Sequence, residues 1–266
     1  MEELNTYLFE YDGQKLSAKD LTNTLKEVGI GLGDKLFIHS DLRSFGKVNP
    51  QISKEEYLGA FVEVLINLVG KEGTIIMPTF SYSFCKGEIY NPKETLSTVG
   101  SLTEYFRQLP DVMRTIDPIF SVATWGDNKE SYMNVGFNCF GDKSIFKKIH
   151  DEDFKILFLG ETFDMTYLHF IEQSFGVPYR YIKKFTGKIK IDNKLKEYTF
   201  DYYVRDLEQN STYDLERIAD FLESKGVLKK ASLGFSQIKV VGTRDVREKI
   251  IEELKENNKF LLKNNV

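Results

Sequence analysis

Through its first half this chain alternates short apolar runs with amphipathic segments that begin on serine. A strand buried on both faces needs continuous apolar residues, whereas a helix lying on a sheet needs a single apolar stripe. Lys35-Leu-Phe-Ile-His39 and Gly73-Thr-Ile-Ile-Met77 read as such strands, as do residues 121–125 and 155–159. Between the first strands, Ser17-Ala-Lys-Asp20 opens a helix that Gly29 closes, and Ser53-Lys-Glu-Glu56 opens another that runs to Val69 before Gly70. In both starts the serine can accept from the amide three residues on, while the acid reaches back to the serine's amide. A further helix is expected after Val99-Gly100-Ser101-Leu102, through Arg107. Strands alternating with amphipathic helices define an α/β protein.

After residue 175 the pattern changes. Residues 185–192 and 195–205 flank Asp192-Asn193, a polar pair suited to a β-hairpin turn. A helix over 214–224, strand material over 228–241 and a charged helix from Thr243 to about Glu256 complete the chain. Without an internal repeat or a low-complexity linker, residues 1–266 read as one domain with a hairpin insertion at about 185–205. The balance of 36 basic against 40 acidic residues is scattered, with no basic stripe and no interleaved aromatics, so a nucleic-acid surface is not expected. The apolar stretch 62–69 falls far short of the roughly 20 residues that cross a bilayer. Met1-Glu2-Glu3 lacks the basic and apolar regions of a signal peptide, and Cys85 and Cys139 form no C-x-x-C pair. A cytoplasmic location away from membranes is the expectation.

Chemistry is concentrated where strands end. Only three histidines occur, and His169 lies in Asp164-Met-Thr-Tyr-Leu-His169-Phe-Ile-Glu172, just after the apolar run 155–160. If residues 166–175 are helical, His169 and Glu172 are neighbours on one face, and a carboxylate beside an imidazole fixes its tautomer and raises its basicity. That suits a general base; the plainer alternative is a half-buried histidine with one structural hydrogen bond. His39-Ser40-Asp41-Leu42 precedes a loop whose amides and Arg43 suit an anion, although Ser-Asp after a strand is also ordinary turn chemistry. No Gly-x4-Gly-Lys-Ser/Thr loop, no G-x-G-x-x-G and no G-x-S-x-G is present, which argues against nucleoside-triphosphate, dinucleotide and serine-hydrolase sites. A metal site would need His39 and His169 to converge with acids, and none is expected.

Read together in order, the strand-end segments resemble the aminoglycoside 3-N-acetyltransferase family. The matching stretches are Ile38-His39-Ser40-Asp41-Leu42 with Gly46, Gly73 through Ser81, Val99-Gly100-Ser101-Leu102 and Ser121-Val-Ala-Thr-Trp125-Gly126. They continue with Phe140-Gly141 and Ser144, Thr166 through Glu172, Val177-Pro-Tyr-Arg180, Gly226-Val-Leu, Leu233-Gly234 and Thr243-Arg244-Asp245. Each is weak alone; their order along nearly the whole chain is specific.

The resemblance implies three α/β/α layers around a mixed sheet and an acetyl-coenzyme A-dependent N-acetyltransferase, with no metal. By family analogy, His39, Ser40, Asp41, Leu42 and Arg43 hold the coenzyme, helped by Thr79, Val99 and Ser121. His169 is the base, oriented by Glu172 or Asp164, with Asp214 and Glu216 as more distant candidates. Asp117, Phe120 and Tyr82 fall on the acceptor side. One departure stands out: where the family has His-Pro-x-His-Ser-Val, this chain has Asp117-Pro118-Ile119-Phe120-Ser121-Val122. Phe120 and Asp117 motivate the expectation of a nucleotide-linked (dTDP-type) amino-deoxysugar as acceptor; the alternative is an aminoglycoside and antibiotic resistance. Two further rivals are a silent relative that binds coenzyme A or a partner protein, and a metal hydrolase using His39 and His169. A homodimer is compatible with each of these readings.

Overall fold

Both serine-capped starts are present in the computed structural model, which describes residues 6–208 and 211–263. In α1 (Ala18–Glu27) the Asp20 side chain accepts from the Ser17 amide at 2.8 Å. In α2 (Lys54–Val69) the Ser53 hydroxyl and Glu56 carboxylate cap each other's amides at 3.1 and 2.6 Å. An N-terminal antiparallel sheet precedes and joins these helices: β1 (Tyr7–Tyr11) pairs with β2 (Gln14–Ser17) on one edge and with β4 (Lys47–Val48) on the other.

The central sheet contains β3 (Lys35–Ser40), β5 (Thr74–Pro78), β6 (Met113–Arg114), β7 (Val122–Gly126), β8 (Lys155–Leu159), β11 (Lys229–Leu233) and β12 (Ser236–Gly242). Its order is β11-β12-β8-β3-β5-β7-β6, with β3 parallel to β5 and β8 and every other pair antiparallel. Strand side chains alternate faces, and the chain exploits both. Leu36, Ile38, Ile75, Met77, Leu157 and Leu159 join one core with α1, α2 and α3 (Ser101–Phe106). Phe37, Ile76, Ile156 and Phe158 join the other, with α5 (Ile145–Asp151), α6 (Tyr167–Phe175), α7 (Leu215–Ser224) and α8 (Thr243–Glu256). A short α4 (Lys129–Met133) follows β7. The result is three α/β/α layers around a mixed sheet, as the resemblance implied. Among the described residues no helix is long and apolar enough to cross a membrane.

The appended hairpin consists of β9 (Arg180–Ile191) and β10 (Lys194–Arg205), hydrogen-bonded to each other as a separate two-stranded sheet. Asp192 and Asn193 both adopt positive φ, 46° and 63°, the backbone of a two-residue turn that follows strand twist. Pairing begins five residues earlier than the sequence reading placed it, at Arg180 opposite Arg205. That extension brings the hairpin's base to the carboxyl ends of the central strands, where open α/β sheets place their ligands.

Candidate active site

A cleft of about 1370 Å³ opens at those strand ends. The segment His39–Arg43 at the end of β3, residues 98–103 before and within α3, Glu161, Thr162, Asp164, Met165, Thr166 and His169, and Arg180, Tyr202, Arg205 and Tyr213 line it. The loop after β3 turns through a short 3-10 segment, Leu42–Ser44, and is tied to the end of β8 by Asp41 N donating to Leu159 O at 2.7 Å. Gly160 makes that approach possible: its φ is +102°, and a Cβ there would overlap Asp41 O and Ser44 Oγ. Gly160→Ala is therefore expected to destabilise the protein by about 1–3 kcal/mol, readable by urea unfolding.

His169 sits on α6 with its side chain 17% exposed, opposite a fully buried Glu172. Its Nδ1 lies 3.1 Å from Glu172 Oε2 and 2.7 Å from Tyr213 Oη. Tyr213 in turn donates to Glu172 Oε2, and Arg180 Nη2 donates to Tyr213 Oη at 2.9 Å. Arg180 Nε approaches the same carboxylate oxygen at 2.6 Å. A carboxylate only accepts and Tyr213 has one proton to give, so Nδ1 must carry its hydrogen toward Glu172. Nε2 then holds the free lone pair on the cleft side. Phe140 and Phe120 press edge-on against the imidazole at 5.2 and 6.5 Å and fix its plane.

Burial, the largest influence on His169, pushes its pKa below the ordinary 6.5, partly opposed by the Glu172 bond. The sequence argument that a neighbouring acid raises basicity holds for that one contact, but desolvation outweighs it. Burial alone would raise Glu172; its bonds to His169 and Tyr213 and the charge of Arg180 reverse this and hold it below 4.5. Burial and the Glu172 charge drive Tyr213 well above 10, so the phenol keeps its proton. The arrangement is a neutral imidazole backed by an ionised, triply contacted carboxylate.

Among the expected ligand residues, His39, Ser40, Asp41, Leu42, Arg43, Val99, Asp164 and Tyr82 line the cleft. Glu172, rather than Asp164, bonds the imidazole; Asp164 is exposed on the rim and reaches His169 only through its field. Thr79 and Ser121 require correction. Both are 0% exposed and hold Arg114, whose Nε lies 3.0 and 3.3 Å from their hydroxyls, so they support the neighbouring segment instead of touching a ligand. Asp117 and Phe120 require correction as well. Asp117 is 6% exposed and accepts from the amides of Ile119 and Phe120 at 2.8 Å, closing its own turn. Phe120 is 1% exposed, a core ring behind His169 and not a stacking surface for an acceptor. Asp214 caps α7 and pairs with Arg217. Tyr82 lines the cleft with φ +54°, a strained backbone for a tyrosine.

His39 forms part of the cleft floor, stacked on Phe158 at 5.4 Å with Nε2 buried and unpaired among the described residues. Burial lowers its pKa to about 3. Above the unfolded value of 6.5 both states are neutral and nothing is lost. As pH falls below that value the unfolded chain takes up a proton that the folded chain refuses, at about 1.4 kcal/mol per pH unit. His39→Phe should flatten the acid-side loss of stability, measured by urea unfolding between pH 4 and 7, as about one proton fewer taken up on unfolding. Among the described residues no group of three or more His, Cys, Asp or Glu is placed to hold a metal.

The chain folds as a three-layer α/β/α protein with a neutral, carboxylate-backed imidazole lining a strand-end cleft. The sequence profile of the family described as aminoglycoside 3-N-acetyltransferase matches residues 37–255. The chain belongs to that family, and it is an acetyl-CoA-dependent N-acetyltransferase. It is 29% identical over 208 residues to the SPbeta prophage-derived aminoglycoside N(3')-acetyltransferase-like protein YokD of Bacillus subtilis (strain 168), covering 68% of this chain and 73% of the relative. It is likewise 29% identical over 233 residues to aminoglycoside N(3)-acetyltransferase IV of Salmonella sp, covering 85% and 83%. The solved structure of AAC-IIIb with CoASH superposes with a TM-score of 0.76 at 16% identity, covering 90% of this chain and 96% of that one, a likeness of fold.

Proposed function

We propose that this protein acetylates an amine of an aminoglycoside by direct transfer from acetyl-CoA, with His169 Nε2 as general base. The observation that carries this reading is the locked ring: Nδ1 sits 3.1 Å from Glu172 Oε2 and 2.7 Å from Tyr213 Oη, leaving Nε2 for the cleft. An acceptor amine arrives largely as its ammonium and must first shed a proton to solvent. Its nitrogen then attacks the thioester carbonyl carbon while Nε2 removes an N–H proton. The C–N bond forms, the C–S bond breaks, and the coenzyme leaves as a thiolate that regains a proton from the imidazolium. Holding both reactants in one cleft supplies much of the rate. No acyl-enzyme is needed, so kinetics should follow a ternary complex.

His39, Ser40, Asp41, Leu42, Arg43 and Val99 are assigned to the coenzyme, and Tyr82, Asp164 and Glu161 to the acceptor, whose ammonium groups favour carboxylates on the cleft wall. The expectation of a nucleotide-linked amino-deoxysugar rested on Phe120 and Asp117; with those residues 1% and 6% exposed it has lost its footing. The named relative from Salmonella favours an aminoglycoside. Use of acetyl-CoA is consistent with a cytoplasmic location.

Free-thiol release with gentamicin and with a dTDP-amino sugar, assayed side by side with acetyl-CoA, tests the proposal. Turnover with the sugar nucleotide and none with the antibiotic would overturn it. Tyr213→Phe removes the hydroxyl that links Arg180, Glu172 and His169. It should lower kcat by about tenfold, the scale of one hydrogen bond to a charged group, while KM for acetyl-CoA stays within error.

A further inference from the structure

Behind α6 lies a second, open cavity of about 580 Å³, lined by residues 136–138 and 140–143 and by faces of α5, α6 and α8. It shares α6 with the active site but uses the opposite side: Phe170, Gln173 and Ser174 face it, whereas His169 faces the cleft. Its charged lining is mainly positive, with Lys143, Lys147 and Arg247 against Asp142. Lys147 is engaged by Asp151, but neither Lys143 nor Arg247 has a carboxylate partner among the described residues.

Two buried atoms are unsatisfied in ways that describe a ligand. Arg247 Nε is buried with no hydrogen-bond partner among the described residues, and Nη2 makes only a 3.4 Å contact with Ser174 Oγ. A buried guanidinium hydrogen without an acceptor is costly, which calls for an anion. Gln173 Oε1 is the second. Asn138 Oδ1 accepts both the Phe140 amide at 3.1 Å and Gln173 Nε2 at 3.0 Å, so the glutamine's orientation is fixed and its oxygen is left to accept from a hydroxyl. Phe137, 50% exposed on the rim, offers a ring face. The volume is that of a small-molecule site. We infer that this cavity is a separate binding site for a phosphate monoester of mononucleotide size, its phosphate held by Arg247 and Lys143, a sugar hydroxyl by Gln173 Oε1, and its base against Phe137. Burial and the charge of Arg247 lower the pKa of His150 on the cavity wall, partly opposed by Asp151.

Calorimetric titration of the full chain, saturated with coenzyme A in the catalytic cleft, tests this with adenosine 5′-monophosphate, inorganic phosphate and adenosine as probes. The monophosphate should bind, phosphate more weakly, and adenosine not measurably. Arg247→Met should weaken the monophosphate by about tenfold or more, because a hydrogen bond to a charged group is worth at least that factor. Lys143→Glu, at an exposed position that poses no folding risk, should weaken it as well, and both variants should keep the wild-type KM for acetyl-CoA. Loss of monophosphate binding when coenzyme A is present, together with unchanged affinity in both cavity variants without it, would overturn the inference, because the probe would then be reading the catalytic cleft. Unchanged affinity in both variants would overturn it equally.

Discussion

His169→Ala is expected to lower kcat/KM for the amine acceptor by about 10²–10⁴-fold at neutral pH, the usual contribution of a positioned general base. Coenzyme A affinity should be unchanged, because the imidazole is assigned to the amine and not to the cofactor. The pH profile separates this role from simple loss of packing. Burial places the His169 pKa below 6.5, so the wild-type base is already neutral at pH 7, and kcat/KM should show, on top of the rise set by deprotonation of the amine, a further fall as pH drops below the ordinary histidine range. In the variant that acid limb should vanish, leaving the steady rise set by deprotonation of the amine itself. Full activity in His169→Ala, or a transferable acetyl group on the enzyme, would rule out the mechanism.

Arg180→Met should have the largest effect on stability. The Arg180 side chain is 4% exposed, and its only ion-pair partner among the described residues is Glu172, 0% exposed. Breaking such a pair from one side strands the other charge in a low-dielectric interior, at about 3–5 kcal/mol. Urea unfolding at pH 7 would register it. The sign of the pH dependence adds a check. Bonds to His169 and Tyr213 and the Arg180 charge hold Glu172 below 4.5, so its contribution is full above that value and is lost as pH falls through the lowered one. Without Arg180 one of the influences opposing burial is gone and the carboxyl pKa rises, so the variant should lose less stability on mild acidification than the wild type does. Glu172→Gln combined with Arg180→Met should cost less than the two single changes added together, because the partners share one network.

The strands β3, β5 and β8 and the capped helices α1 and α2 were legible because their signals are local: continuous apolar runs and a serine three residues before an acid. The His169–Glu172 pair was legible for the same reason, since helical spacing alone puts the two on one face. Arg180 and Tyr213 were not. They lie 11 and 44 residues from His169 and meet it only because the hairpin base and the segment before α7 fold back over α6. Arg180 had appeared in the matching stretch Val177–Arg180 without a role, and nothing local singles out Tyr213. The N-terminal hairpin was missed despite a usable cue, Asp12-Gly13, whose φ values of 47° and 74° form its turn. Its strands are short and half solvated, so the alternation is thin. Thr79, Ser121, Asp117 and Phe120 were misplaced because proximity to a strand end does not say which way a side chain faces. Each turned inward, to Arg114, to its own turn amides or to the ring of His169.

A crystal structure of the ternary complex with coenzyme A and an aminoglycoside reads the central claim most directly. The account predicts His169 Nε2 within about 2.6–3.2 Å of the acceptor amine, or joined to it through one water, with Nδ1 still on Glu172. An imidazole beyond a water's reach of that amine, or one turned to present Nδ1 to it, would contradict the account.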